Sequence, residues 1–289
     1  MNRYVSIFLA TVILLAGLVT FAGGEDKRGD ISNNGGAAAP SRTKYHALII
    51  GNNDYRHISK LNTAVNDAKA VEQVLRGRYG FNTRLLVDAT RAQILDALND
   101  FRRTLGDSDN FLVYYAGHGH FDKTADKAYW LPVDAKTDNH TEWIIADDIT
   151  SEVKRIASRH ILIVSDSCYS GTLTRAVSTD LSSKSGREEF LRKMMERRSR
   201  TLMASGGNEP VSDSGGGNHS VFAAAFLKAL NEAENGTFTA EELFYGGKVK
   251  EIVAGKSNQV PEYNTIKNSG HDGGDFVFSL TSTTGSVTK

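Results

Sequence analysis

The sequence predicts an α/β domain with a mostly parallel central sheet and helices on both of its faces. Three observations lead there. Apolar runs at Tyr45–Gly51, Asn110–Tyr115 and Ile161–Ser165 have the length and composition of strands buried on both sides. Between them lie segments whose apolar residues recur at helical spacing. The two patterns alternate, as parallel strands joined by crossover helices require.

The elements follow in order. After the first strand, Leu61, Ala64, Val65, Ala68, Val71, Val74 and Leu75 mark a helix over Leu61–Arg78. Thr83–Val87 reads as a second strand, and Ala92–Leu105 as a helix with Ile94, Leu95, Leu98 and Leu105 inward. The third strand, Asn110–Tyr115, leads into an irregular stretch. Asp147–Ala157 is then helical, Ile161–Ser165 is a fourth strand and Thr201–Ala204 a fifth. Ser220–Ala233 and Ala240–Val253 are expected as helices, and Asp275–Ser279 as a late strand.

The 289 residues are 40% hydrophobic and carry 34 basic against 34 acidic side chains. That is enough chain for a substantial core. The balanced charge offers no basic field for nucleic acid, so no nucleic-acid partner is expected. In residues 1–24, Arg3 precedes an apolar stretch that ends in small residues at Ala22-Gly23-Gly24. This reads as an export signal or as an uncleaved N-terminal membrane anchor, and both readings stay open. Either places the rest of the chain outside the cytoplasm, periplasmic or secreted. Residues 25–43 read as a flexible linker, 44–280 as the folded domain and 281–289 as a disordered tail. A single cysteine, Cys168, excludes an intramolecular disulfide framework.

Two strands end in chemically capable residues. The third runs into Gly117-His118-Gly119-His120, and the fourth into Asp166-Ser167-Cys168-Tyr169-Ser170-Gly171. In parallel sheets, ligands gather at such strand ends. A thiol becomes a strong nucleophile when an imidazole helps to deprotonate it. Cys168 and His118 therefore form a candidate nucleophile and base, with the backbone N–H groups of Gly119 and Cys168 as oxyanion donors. His118 and His120 are also a candidate pair of metal ligands, which would make a metal-dependent hydrolase. No further histidine or carboxylate pattern completes a zinc site.

These two motifs resemble those of the caspase-like cysteine peptidases, and within them the bacterial relatives of metacaspases. The histidine of caspases lies about 50 residues before the cysteine, and 50 residues separate His118 from Cys168. The resemblance implies a caspase-like fold, a Cys–His dyad and protein or peptide substrates. It also implies a basic specificity, because Asp166 stands two residues before the cysteine and Asn66-Asp67 matches the family's pair on the first helix. Carboxylates at Asp67 and Asp166 would bind an arginine or lysine side chain by charge-assisted hydrogen bonds. A catalytically silent binding module on the same fold is the alternative.

Between Lys184 and Arg200 stand seven basic residues, Lys184, Arg187, Arg192, Lys193, Arg197, Arg198 and Arg200, against three acids. An enzyme that cleaves after Arg or Lys is expected to process itself there; the other reading is an exposed charged helix. The resemblance also implies a calcium site at Asp134, Asp147 and Asp148, of which Asp147 reads equally well as a helix N-cap. Arg175 stands where a further ligand belongs, and its charge would repel the ion. The expectation is that no cofactor is required.

Overall fold

The computed structural model describes residues 44–167, 184–206, 217–234 and 236–281. The elements in chain order are β1 (Lys44–Gly51), α1 (Ala64–Tyr79), β2 (Asn82–Val87), α2 (Arg91–Thr104), β3 (Asp109–Ala116), β4 (Gly119–Asp122), β5 (Lys127–Trp130) and β6 (Ile144–Ile145). They continue with α3 (Ala146–Arg155), β7 (His160–Asp166), α4 (Lys184–Glu196), β8 (Ser199–Ala204), α5 (Val221–Glu232), β9 (Thr237–Thr239), α6 (Ala240–Gly246), α7 (Val249–Lys256), β10 (Glu262–Thr265) and β11 (Val277–Ser279).

The main sheet has the order β10-β8-β7-β3-β1-β2. Its first five strands in chain order run parallel, and only the edge strand β10 is antiparallel. Alternation along each strand sends neighbouring side chains to opposite faces. Ala47, Ile49, Leu112, Tyr114, Leu162 and Val164 join one core with α1, α5, α6 and α7. Leu48, Ile50, Phe111, Val113, Ile161 and Ile163 join a second core with α2 and α3. The chain passes from β1 to β2 on one side and returns to β3 on the other. This strand reversal opens a crevice at the C-terminal ends of β1 and β3.

Four expectations change. The stretch after β3 is not irregular, for β4, β5 and β6 form a small antiparallel sheet. The segment Ala240–Val253 is two helices, because a Cβ on Gly247 would lie 2.3 Å from Leu243 O and Lys248 adopts a left-handed φ of 56°. The late strand β11 pairs with β9 outside the main sheet. Asp147 is not an N-cap, since the helix begins at Ala146 and Ile145 occupies the cap.

Arg200 corrects another expectation. It lies in β8 and is fully buried. Its guanidinium donates to the carbonyls of Val153, Ile156, Ser158, Arg159 and Ser199 at 2.8–3.1 Å. Burial lowers its pKa to about 10, so it stays charged at neutral pH. It fastens the end of α3 and the loop into β7, where helix carbonyls lack intrahelical donors. Arg200→Met should therefore lower stability by about 3–5 kcal/mol, as carbonyls are left buried without a donor. A fall in the urea midpoint with an unaltered slope is the expected reading, and an unshifted midpoint would contradict it.

Candidate active site

His118 follows β3 directly, and its position is fixed from several sides. Its backbone N–H donates to Tyr55 Oη at 2.7 Å, and its carbonyl accepts from Tyr115 Oη at 2.8 Å. Both tyrosines are buried, and burial raises their pKa, which keeps the hydroxyls neutral. Gly117 allows this clamp, for a Cβ there would lie 2.7 Å from Tyr55 Oη and 2.8 Å from Tyr115 Oη. The imidazole packs beside the Tyr55 ring, with centroids 4.8 Å apart. Its Nε2 lies 2.9 Å from Ser59 O. A carbonyl only accepts, so Nε2 carries a proton and Nδ1 is the ring nitrogen left for other chemistry.

The neighbouring strand end holds Asp166 and Ser167, both buried. Gly117 N donates to Asp166 O at 3.3 Å, which ties the two strand ends together. Trp130 Nε1 donates to Ser165 Oγ at 3.0 Å, Ser165 Oγ meets Ser167 Oγ at 2.8 Å, and Ser205 Oγ donates to Ser167 O at 3.1 Å. This buried hydroxyl network underlies the residue that precedes Cys168. Cys168 itself lies outside the described residues, as do residues 1–43 and 282–289.

Asp67 and Asp166 are brought together by Ser220, the N-cap of α5. Ser220 N donates to Asp67 Oδ2 at 3.3 Å, and Ser220 Oγ donates to Asp166 Oδ2 at 2.5 Å. His219 Nδ1 lies 2.6 Å from Asp67 Oδ1. Asp67 is fully buried. Burial pushes its carboxyl above the ordinary range, while the bonds from His219 and Ser220 pull it down. Tyr114 reports both carboxylates: burial raises its hydroxyl pKa first, and the charges of Asp166 and Asp67 raise it further.

Asp134, Asp147 and Asp148 do not assemble a cation site. Asp134 Oδ1 accepts from Arg91 N at 3.0 Å, Asp147 pairs with Lys127, and Asp148 lies 3.9 Å from the Arg91 guanidinium. Protein cations thus serve two of the three carboxylates, and the set does not fit a calcium ion. His120 does not join His118 as a metal ligand; its ring sits against Trp143 at 4.8 Å. Among the described residues, no group of three or more His, Cys, Asp or Glu side chains could hold a metal.

The seven basic residues of the self-processing expectation take these places. Lys184, Arg187, Arg192 and Lys193 lie on α4. Arg187 pairs with Glu242 at 2.5 Å, and Arg192 and Lys193 bridge to acids on their own helix. Arg197 and Arg198 follow α4, with the Arg198 carbonyl accepting from Asp272 N and Gly274 N. Arg200 is buried, as described above. Two contributors were not foreseen: Ser59 acts through a backbone carbonyl, which any residue carries, and Tyr55 lies 63 positions from His118.

Comparison with known proteins places this geometry. A caspase-domain family model, Peptidase_C14, matches residues 44–269. The chain belongs to this peptidase family. Metacaspase-1 of Cryptococcus neoformans is 33% identical over 149 residues, covering 45% of this chain and 32% of that protein. The human mucosa-associated lymphoid tissue lymphoma translocation protein 1 is 32% identical over 96 residues, covering 33% of this chain and 11% of that protein. The chain thus spans a third or less of the length of these curated relatives. A crystal structure of a Geobacter sulfurreducens protein matches 79% of this chain and 97% of its own, with a TM-score of 0.53 and 21% identity. That likeness speaks to the fold alone: an α/β caspase domain with a mostly parallel sheet and helices on both faces.

Proposed function

We propose that this caspase-domain protein is a cysteine endopeptidase that cleaves protein or peptide substrates after Arg or Lys. The observation that carries this reading is the fixed orientation of His118 at the end of β3, tied to the end of β7 two residues before Cys168. Ser59 O holds the Nε2 proton, so Nδ1 accepts the Cys168 proton and later returns it to the leaving amine. The thiolate attacks the scissile carbonyl to form an acyl-enzyme, which water hydrolyses. Leu131 N donates to His118 O at 3.0 Å just before β4 and β5 begin to pair, and Gly119 stands opposite Trp130 in that ladder. Gly119 then turns its N–H away from β5. This orientation supports Gly119 N–H as one oxyanion donor, with Cys168 N–H, outside the described residues, as the other in this reading.

The paired carboxylates under the site support a basic residue on the acyl side of the scissile bond. They would repel an acidic one. The mechanism uses no cofactor. The amino-terminal pattern in residues 1–24 supports an exported or anchored enzyme; among the described residues no helix is long and apolar enough to cross a membrane.

The direct test compares the wild type with Cys168→Ala on fluorogenic peptides ending in Arg, Lys, Asp or Asn. Turnover of Arg and Lys reporters by the wild type, abolished in the variant, is the expected result. Cleavage confined to Asp reporters would refute the basic pocket. Equal activity of the two proteins would refute the cysteine mechanism.

A further inference from the structure

We propose that His219 is a gate on the specificity pocket, occupying Asp67 at rest and giving way to the incoming basic side chain. The proposal rests on the basic-substrate reading above and assigns that pocket a residue beyond its two carboxylates. Its ground is geometric. Both oxygens of Asp67 are engaged, one by His219 Nδ1 at 2.6 Å and the other by Ser220 N at 3.3 Å. The carboxylate side chain is only 1% exposed, whereas the His219 side chain in contact with it is 27% exposed. A substrate cation therefore reaches Asp67 Oδ1 only if the imidazole leaves it.

The ring has somewhere to go. His219 also lines an open groove of about 540 Å³ between α1 and α5, walled by Ala70, Gln73, Val74, Ala224 and Leu227. The bond it gives up is a single contact on a residue that precedes the Ser220 N-cap, so its rotation leaves α5 intact. Asn66 Nδ2 donates to Asn218 O at 2.7 Å and holds the backbone beside it. The moving part is thus a side chain on an anchored segment.

The gate has a consequence for selectivity. Arginine carries a planar fork of donors that can replace the His219 bond to Asp67 while also facing Asp166. Lysine brings one compact ammonium group, which has less to offer in exchange for the displaced imidazole. The intact gate therefore favours arginine over lysine. Removing it should help lysine more.

The test is equilibrium binding in the Cys168→Ala background, where no turnover intervenes. Peptides ending in a carboxy-terminal arginine or lysine are titrated calorimetrically against proteins carrying His219, His219→Ala or His219→Asn. His219→Ala should tighten lysine-peptide binding by roughly ten-fold, about the value of one charge-assisted hydrogen bond, with a smaller gain for arginine. His219→Asn, which keeps a neutral N–H donor near the same place, should restore the wild-type preference and also controls for folding. In the catalytically active protein the same gain should appear in KM. Unchanged or weaker binding of both peptides by His219→Ala would overturn the gate while leaving the pocket standing. Failure of every variant to bind either basic peptide would overturn the pocket, and the gate with it.

Discussion

His118→Ala should lower kcat/KM on an arginine reporter by about a thousand-fold or more, within the range set by loss of a positioned general base. The chain offers an unusually clean second readout, because Cys168 is its single cysteine. Iodoacetamide therefore reports one thiol alone. In the proposed dyad, the thiolate would be stabilised as an ion pair with the imidazolium, which Ser59 O would steady through Nε2. Alkylation should then remain fast below neutral pH. Without His118 the thiol should return toward an ordinary pKa of about 8.5, and the alkylation rate should climb only as pH approaches that value. Coincident rate–pH profiles for the two proteins would show that His118 does not govern the thiol, whatever its effect on turnover. A loss of alkylation at every pH would instead point to a buried thiol.

Much of this arrangement was legible in the sequence because the sheet is parallel and buried on both faces. Runs such as Ala47–Ile50 and Leu112–Tyr115 are apolar without interruption, so the strands declare themselves, and the polar residues that end them mark the crevice. The small sheet β4–β6 was hidden for the opposite reason. Its strands have only two to four residues, too few to show a period. Gly246-Gly247 did not announce a helix break because glycine inside a helical pattern is merely costly, and the close approach to Leu243 O appears only in three dimensions. The motif singled out Asp67, and the structure places it within reach of Asp166 through Ser220. That His219 covers it was not legible, since 152 residues separate the two. Arg200 shows the limit most plainly: in sequence it is one cation in a basic run, and only packing reveals that it is fully buried.

The second large effect belongs to Asp166. Asp166→Asn should reduce kcat/KM for arginine reporters by about a hundred-fold or more, the scale of breaking one partner of a buried charge pair. The substitution keeps shape and hydrogen-bonding capacity, and Ser220 Oγ can still donate to the remaining carbonyl oxygen. What disappears is the negative charge beside Tyr114 and Asp67. Asp67→Asn should cost less for the same substrates, because in the resting pocket much of the Asp67 charge is already answered by His219 and Ser220. The order of the two effects separates a pocket built on Asp166 from one built on Asp67. Reporters ending in asparagine or glutamine should lose far less than arginine reporters in Asp166→Asn, since they never used the charge. If all reporters fell equally, Asp166 would be supporting the β7 strand end and the placement of Cys168. If arginine alone fell, the carboxylate two residues before the nucleophile would be the element that selects the bond to be cut.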